Sequence, residues 1–314
     1  MENKNELAKK YHVVICAVLF GCDDSIVGLD LGDELLITRK SLLPKDHLNN
    51  IFEIDSMELR REYECARLDM ETLDVACVYK EYDYIDNDNS AQSYYDHIRS
   101  ELFTYLDNQI RVIRLLLEGP IRYKKLAVKM NSDPMKIKET NMSYGYNSIM
   151  PVGEAYNVKT IKKLHCDNTG ILRAEMNKIT LPYPIKYLNQ CHLLYDRSYL
   201  VTLQEAEILL ITSLEILFLK SENSKKERLS KRCATYIFES KEERVECYKK
   251  LTSEYKKRSD FVHDGNSIGI GEEDILFLRE CVRGSLIKLL HGKEEKDALL
   301  CDLKKKIESL DYWQ

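Results

Sequence analysis

Glycine and proline are scarce in this chain, at 12 and 6 of 314 residues. That excludes long Gly/Pro-rich linkers. No segment reaches the length of a transmembrane helix. The start, MENKNELAKK, is polar, and the apolar run Val13–Phe20 is short and lacks a cleavage pattern, so no secretory signal is expected. Excess charge of one sign is also missing. The formal net charge is −5, which excludes a generic polyanion binder and leaves any nucleic-acid contact to local basic patches. Neither a P-loop nor a dinucleotide fingerprint is present. No internal repeat or low-complexity tract is evident. Ten cysteines follow no repeating spacing, so reduced thiols in a cytoplasm are expected.

What is present suits one large or two modest domains: 44% hydrophobic and 32% charged residues. The first half reads as mixed α and β. Tyr11–Phe20, Glu34–Thr38 and Val75–Tyr84 carry the β-branched and aromatic enrichment of strands. Ser41–Phe52 and Ser56–Leu73 look helical, and Ser93–Glu118 has the periodicity of a long amphipathic helix. From Ser143 to Pro184 the pattern is irregular and turn-rich, and Leu181–Pro184 is the expected domain boundary.

Beyond Pro184 only helical patterns remain. They cover Ile185–Tyr195, a helix to Leu219 opened by the capping box Thr202–Glu205, Lys225–Phe238, Lys241–Asp264, Glu272–His291 and Lys293–Leu310. The helix ending at Leu219 is apolar almost all round, which predicts burial on several sides or a subunit interface. The fold class is therefore α+β: a mixed domain over residues 1–183, then an all-α bundle over 184–314.

Arg258 and His263 lie five residues apart near the end of the Lys241–Asp264 helix. Arginine grips phosphate through a planar fork of donors, and histidine moves protons near neutral pH. Tyr248, Leu251, Tyr255 and Val262 make an apolar stripe on this helix, and Arg258 falls inside it. An arginine on such a face needs an acid, a stack or a ligand. The bland reading pairs it with Asp260, Glu254 or another acid and leaves His263 to cap the helix. Positions five apart point about 140° from each other on a regular helix. Convergence on one phosphate therefore requires the helix to unwind before Gly265, or two copies of the motif to meet across a dimer axis.

Three segments stand in order along the second half: Ser213-Leu214-Glu215 with Leu217 and Leu219, Arg228-Leu-Ser-Lys-Arg232-Cys-Ala234, and Arg258-Ser259 with Val262-His263-Asp264-Gly265. Together they resemble the HEPN superfamily, specifically its Apea-like branch. The resemblance spans roughly residues 185–291, about a third of the chain. It implies a dimerising helical domain that brings two Arg/His motifs together in a basic cleft. Many such domains are metal-independent endoribonucleases of toxin–antitoxin, abortive-infection or antiphage systems. Carried over by position, Arg258 and His263 form the catalytic pair. Ser259 stands where many relatives have Asn, Asp or His, and Asp260 is a nearby substitute.

The expected chemistry is cleavage of RNA by its own 2′-hydroxyl, with no metal or cofactor. Arg258 neutralises the phosphate, and His263 acts as general acid or base. Arg228, Arg232, Lys256 and Lys257 are the expected RNA contacts, against the plainer reading of a solubilising surface. A homodimer is expected, with a regulatory or antitoxin protein as a further partner and no membrane. The alternative function is a non-catalytic HEPN scaffold that binds RNA or protein. In the first half, Arg122–Lys138 forms a second basic stretch, expected as a solvated helix, with Tyr123 as a candidate base-stacking residue. His165-Cys166 and Cys191-His192 contain zinc-ligand types, but their spacing does not match common zinc sites.

Overall fold

The computed structural model describes residues 9–43, 74–86, 91–123, 125–131, 144–147, 163–220, 224–264, 269–292 and 295–313. They form an α+β chain of two compact units. The first reaches Lys178, and the second begins at Ile179. The Leu181–Pro184 segment lies just inside the second.

In chain order the first unit contains β1 (Lys9–Phe20), β2 (Asp30–Gly32), β3 (Leu35–Arg39), β4 (Ala76–Asp86), α1 (Ala91–Leu117), β5 (Arg122–Tyr123), β6 (Lys125–Asn131), β7 (Tyr144–Asn147) and α2 (Thr169–Met176). The strands form an antiparallel sheet in the order β2-β3-β4-β1-β6-β7, with β5 paired to the end of β1. β1 is central: Ile15 faces Lys80 on one side and Val128 on the other. Every residue from Val13 to Phe20 is buried, which explains an apolar run without alternation. The strand stops at Gly21, whose φ is 73° and whose missing Cβ leaves room for the Pro120 carbonyl. α1 buries Leu102, Leu106, Ile110 and Ile113, and Tyr105 donates to the Leu31 carbonyl at 2.7 Å.

Several expectations for this unit are corrected. The Arg122–Lys138 stretch is not a helix where it is described: it forms β5 and β6, with Leu126 and Val128 buried. Its lysines mask a strand whose apolar residues alternate. Residues 40–42 form a single 3₁₀ turn in place of the start of the expected Ser41–Phe52 helix, and residues 44–52, with all of Ser56–Leu73, lie outside the described residues. The turn-rich segment after Ser143 contains β7 and α2.

The second unit is helical: α3 (Lys186–Arg197), α4 (Leu203–Phe218), α5 (Lys225–Ile237), α6 (Lys241–Asp264), α7 (Glu272–Gly292) and α8 (Lys296–Glu308). α4 is the hub. It packs against α3, α5, α6, α7 and α8, which accounts for its nearly uniform apolar surface. Thr202 and Glu205 form the expected reciprocal cap, with the Glu205 amide donating to Thr202 Oγ1 and the Thr202 amide donating to the Glu205 carboxylate. At its other end, Lys296 donates to the Ile216 carbonyl at 2.6 Å and Arg232 to the Phe218 carbonyl at 2.7 Å. Two cations thus satisfy last-turn carbonyls where the helix dipole is negative. Trp313, in the 3₁₀ turn after α8, packs edge-on against Tyr248 of α6. Among the described residues, no helix is long and apolar enough to cross a membrane.

Candidate functional site

Arg258 sits in the last third of α6 and faces Glu215 of α4. Both side chains are about one-fifth exposed (22% and 21%), and the closest guanidinium–carboxylate approach is 3.9 Å. That separation permits Coulomb attraction but is too long for a hydrogen bond. Arg258 Nε is buried without a hydrogen-bond partner. The Glu215 carboxylate instead accepts from the Tyr255 hydroxyl at 2.7 Å. Burial and that bond to a carboxylate push the Tyr255 hydroxyl up to about 12. Tyr255 therefore remains a neutral donor and holds Glu215 beside the guanidinium. Of the acids open to Arg258 on the bland reading, the one that faces it is Glu215 of α4, on another helix.

A second acidic group lies deeper. Glu207 of α4 is fully buried, and neither of its carboxylate oxygens has a hydrogen-bond partner. Burial pushes its carboxyl up to about 7, and the negative charges of Glu254 and Asp274 add to the shift against Lys257 and Arg258. Glu254 of α6 is also buried, with its carboxyl raised by desolvation. Lys257 bridges the cluster, 3.0 Å from Glu254 and 2.8 Å from Asp274 of α7. Asp274 also accepts from the Gly271 amide, and its hydrogen bonds outweigh burial and hold its carboxyl below the usual range. Four polar atoms in this neighbourhood lack partners: both oxygens of Glu207, one of Glu254 and Arg258 Nε. Each such group requires an explanation in a folded protein. Sequence reasoning missed Glu207; the available signal was an acid in the otherwise uncharged run AEILLITSL.

The remaining expected residues separate. α6 stays helical through Asp264, so the chain does not unwind before Gly265. Positions 258 and 263 therefore diverge by about 140° within one copy. The His263 side chain lies outside the described residues. Ser259 and Asp260 are half-buried on the same helix, and their positions turn progressively away from that of Arg258. Arg228 and Lys256 are exposed, as a surface contact requires. Arg232 and Lys257 are not. Arg232 is buried and caps α4 through the Phe218 carbonyl. Lys257 is engaged by Glu254 and Asp274. A buried, hydrogen-bonded Arg232 is not presented to a strand, and Lys257, though partly exposed, is already committed to two carboxylates.

Tyr123 is likewise withdrawn: it is buried, edge-on to Phe103, with its hydroxyl raised by desolvation. The zinc-type residues have other partners. His165 bonds Asp23 at 2.7 Å, His192 bonds the Tyr183 hydroxyl at 2.8 Å, and the Cys191 thiol donates to the Ser213 carbonyl. Among the described residues, no group of three or more His, Cys, Asp or Glu could hold a metal ion.

No family model, curated protein or solved structure matches this chain.

Proposed function

We propose that the second unit is a metal-independent endoribonuclease of the HEPN type, acting as a toxin or antiphage effector in the cytoplasm. The observation that carries this reading is the state of Arg258. Its guanidinium is partly exposed and only loosely paired with Glu215 at 3.9 Å, while Nε is buried. An arginine committed to structure is tied down like Arg232; this one keeps donors for an anion. Position 263 lies on the same helix but faces about 140° away, so the reading requires two copies, each supplying one Arg/His motif to a shared cleft. Arg258 then stabilises charge on the phosphorane-like transition state, His263 transfers the proton, and the substrate's 2′-hydroxyl attacks. The product is a 2′,3′-cyclic phosphate end, and DNA is spared.

The test is incubation of purified wild type, Arg258→Ala and His263→Ala with total RNA in EDTA, followed by mapping of the cut ends. Cleavage by wild type alone supports the reading. Equal cleavage by the variants, or dependence on a divalent metal, defeats it. The Glu215 contact favours a second reading, a non-catalytic RNA-binding scaffold in which that acid keeps Arg258 from the phosphate. RNA retained without cleavage, and indifferent to His263→Ala, identifies that case.

A further inference from the structure

Three cysteines of the second unit meet inside its core: Cys233 of α5, Cys247 of α6 and Cys281 of α7. All are free thiols, and all are buried, at 0%, 3% and 1% exposure. Each is in hydrogen-bond contact with the other two. They take no part in the RNA chemistry proposed for Arg258. We propose that this trio is a peroxide-sensitive thiol site, in which Cys247 is oxidised and then forms a reversible disulfide with Cys233 or Cys281.

The neighbours of two of these cysteines mark where the trio approaches the surface. Lys250 follows Cys247 by three residues and Phe277 precedes Cys281 by four, so each shares a helix face with its cysteine. The Lys250 ammonium lies 4.3 Å over the Phe277 ring, and both residues are half-buried. This contact closes the seam between α6 and α7 one helical turn from the thiols. A cation–π contact at such a site contributes about 0.5–1 kcal/mol, so the seam opens at small cost. Its parting gives a molecule as small as hydrogen peroxide a route to Cys247, the least buried of the three.

The hydrogen bonds assign the roles. The thiols of Cys233 and Cys281 donate to Cys247 and hold its thiol below the ordinary cysteine range against burial; Glu246 opposes that shift and Lys250 adds to it. Burial raises Cys233, and its bonds to the other two raise Cys281, so both keep their protons. The Cys247 thiolate attacks one oxygen of hydrogen peroxide. The O–O bond breaks, and the departing hydroxide takes up the proton that the thiol gave up, leaving a sulfenic acid and water. The sulfur of Cys233 or Cys281 then attacks the sulfenic sulfur, and its proton leaves with the hydroxyl as a second water. Two thiols and one peroxide thus give one disulfide and two waters. The crosslink fastens α6, the helix of Arg258, to α5 or α7. Cellular thiols restore the trio by exchange.

The experiment treats the folded full chain with hydrogen peroxide, in a Cys301→Ser parent that lacks the exposed thiol. Remaining thiols are then alkylated, and the cysteines are mapped by peptide mass spectrometry. Cys247 should be recovered paired with Cys233 or Cys281, with the loss of two hydrogens from the chain, and dithiothreitol should reverse the change. Adding Cys247→Ser should slow pairing of the other two thiols about tenfold or more, because the activated sulfur is gone. Parental rates of pairing in that variant, pairing that forms only in urea, or oxidation of Cys247 to a sulfinic acid without a partner overturns the assignment. The parent's map alone is decisive if Cys247→Ser does not fold. None of these outcomes depends on whether the protein cleaves RNA.

Discussion

Replacing Glu207 by Gln should change how stability depends on pH more than it changes stability itself. In the folded protein this buried carboxyl keeps its proton up to about pH 7. In the unfolded chain it loses the proton near the ordinary value for glutamate, about 4.3. Between those values the folded state binds more protons, so stability falls as pH rises from about 4.5 to about 7 and levels off above that. A shift of about 2.5 units corresponds to about 3 kcal/mol. Gln does not titrate and carries none of this slope. The stability of Glu207→Gln minus that of wild type should therefore rise by about 3 kcal/mol between pH 4.5 and 8. A constant cost of burying the amide cancels in that difference. The chain has one tryptophan, Trp313, packed within the second unit, so its fluorescence reports unfolding of that unit. With urea slopes of about 1–3 kcal/mol/M, the two midpoints should diverge by about 1–3 M over this range. Midpoints that stay parallel from pH 4.5 to 8 would refute the claim that Glu207 is buried without a compensating partner.

The same Trp313 assay tests three further points. Arg232→Met removes the charged donor from the Phe218 carbonyl and should destabilise by about 1.5–3 kcal/mol; no loss would return Arg232 to the candidate RNA surface. Lys257→Met leaves Glu254 and Asp274 without their shared cation and should cost about 2–3 kcal/mol, whereas exposed Lys256→Met should stay within about 0.5 kcal/mol. Equal effects would contradict the distinction between these neighbours. Thr202→Ala breaks the α4 capping box and should cost about 1 kcal/mol.

The helices of the second unit were legible because their signals are local. Thr202 and Glu205 name the start of α4 three residues apart, and acids at 272–274 open α7. β6 was missed because its lysines suggest a solvated helix while its strand pairing comes from β1, more than a hundred residues earlier. The site was legible in type and not in arrangement. Arg258 was marked by its place in an apolar stripe. Its actual neighbour, Glu215, could not be selected from the sequence, since the contact depends on how α4 crosses α6. Arg228 and Arg232 share one spacing pattern, yet one is exposed and the other caps a helix end.

Sequence by itself determined the α+β class, the change of character near Pro184, the starts of most second-unit helices and the residue types suited to phosphate chemistry. Periodicity, caps and side-chain chemistry belong to a few neighbouring residues, so one chain suffices to read them. Only the tertiary structure decided that Arg232 and Lys257 are structural cations, that Arg258 keeps unbonded donors, that Glu207 is buried without partners and that three cysteines from three helices meet in one core. Those properties depend on which surfaces lose water and which groups meet across helices, and packing alone sets both.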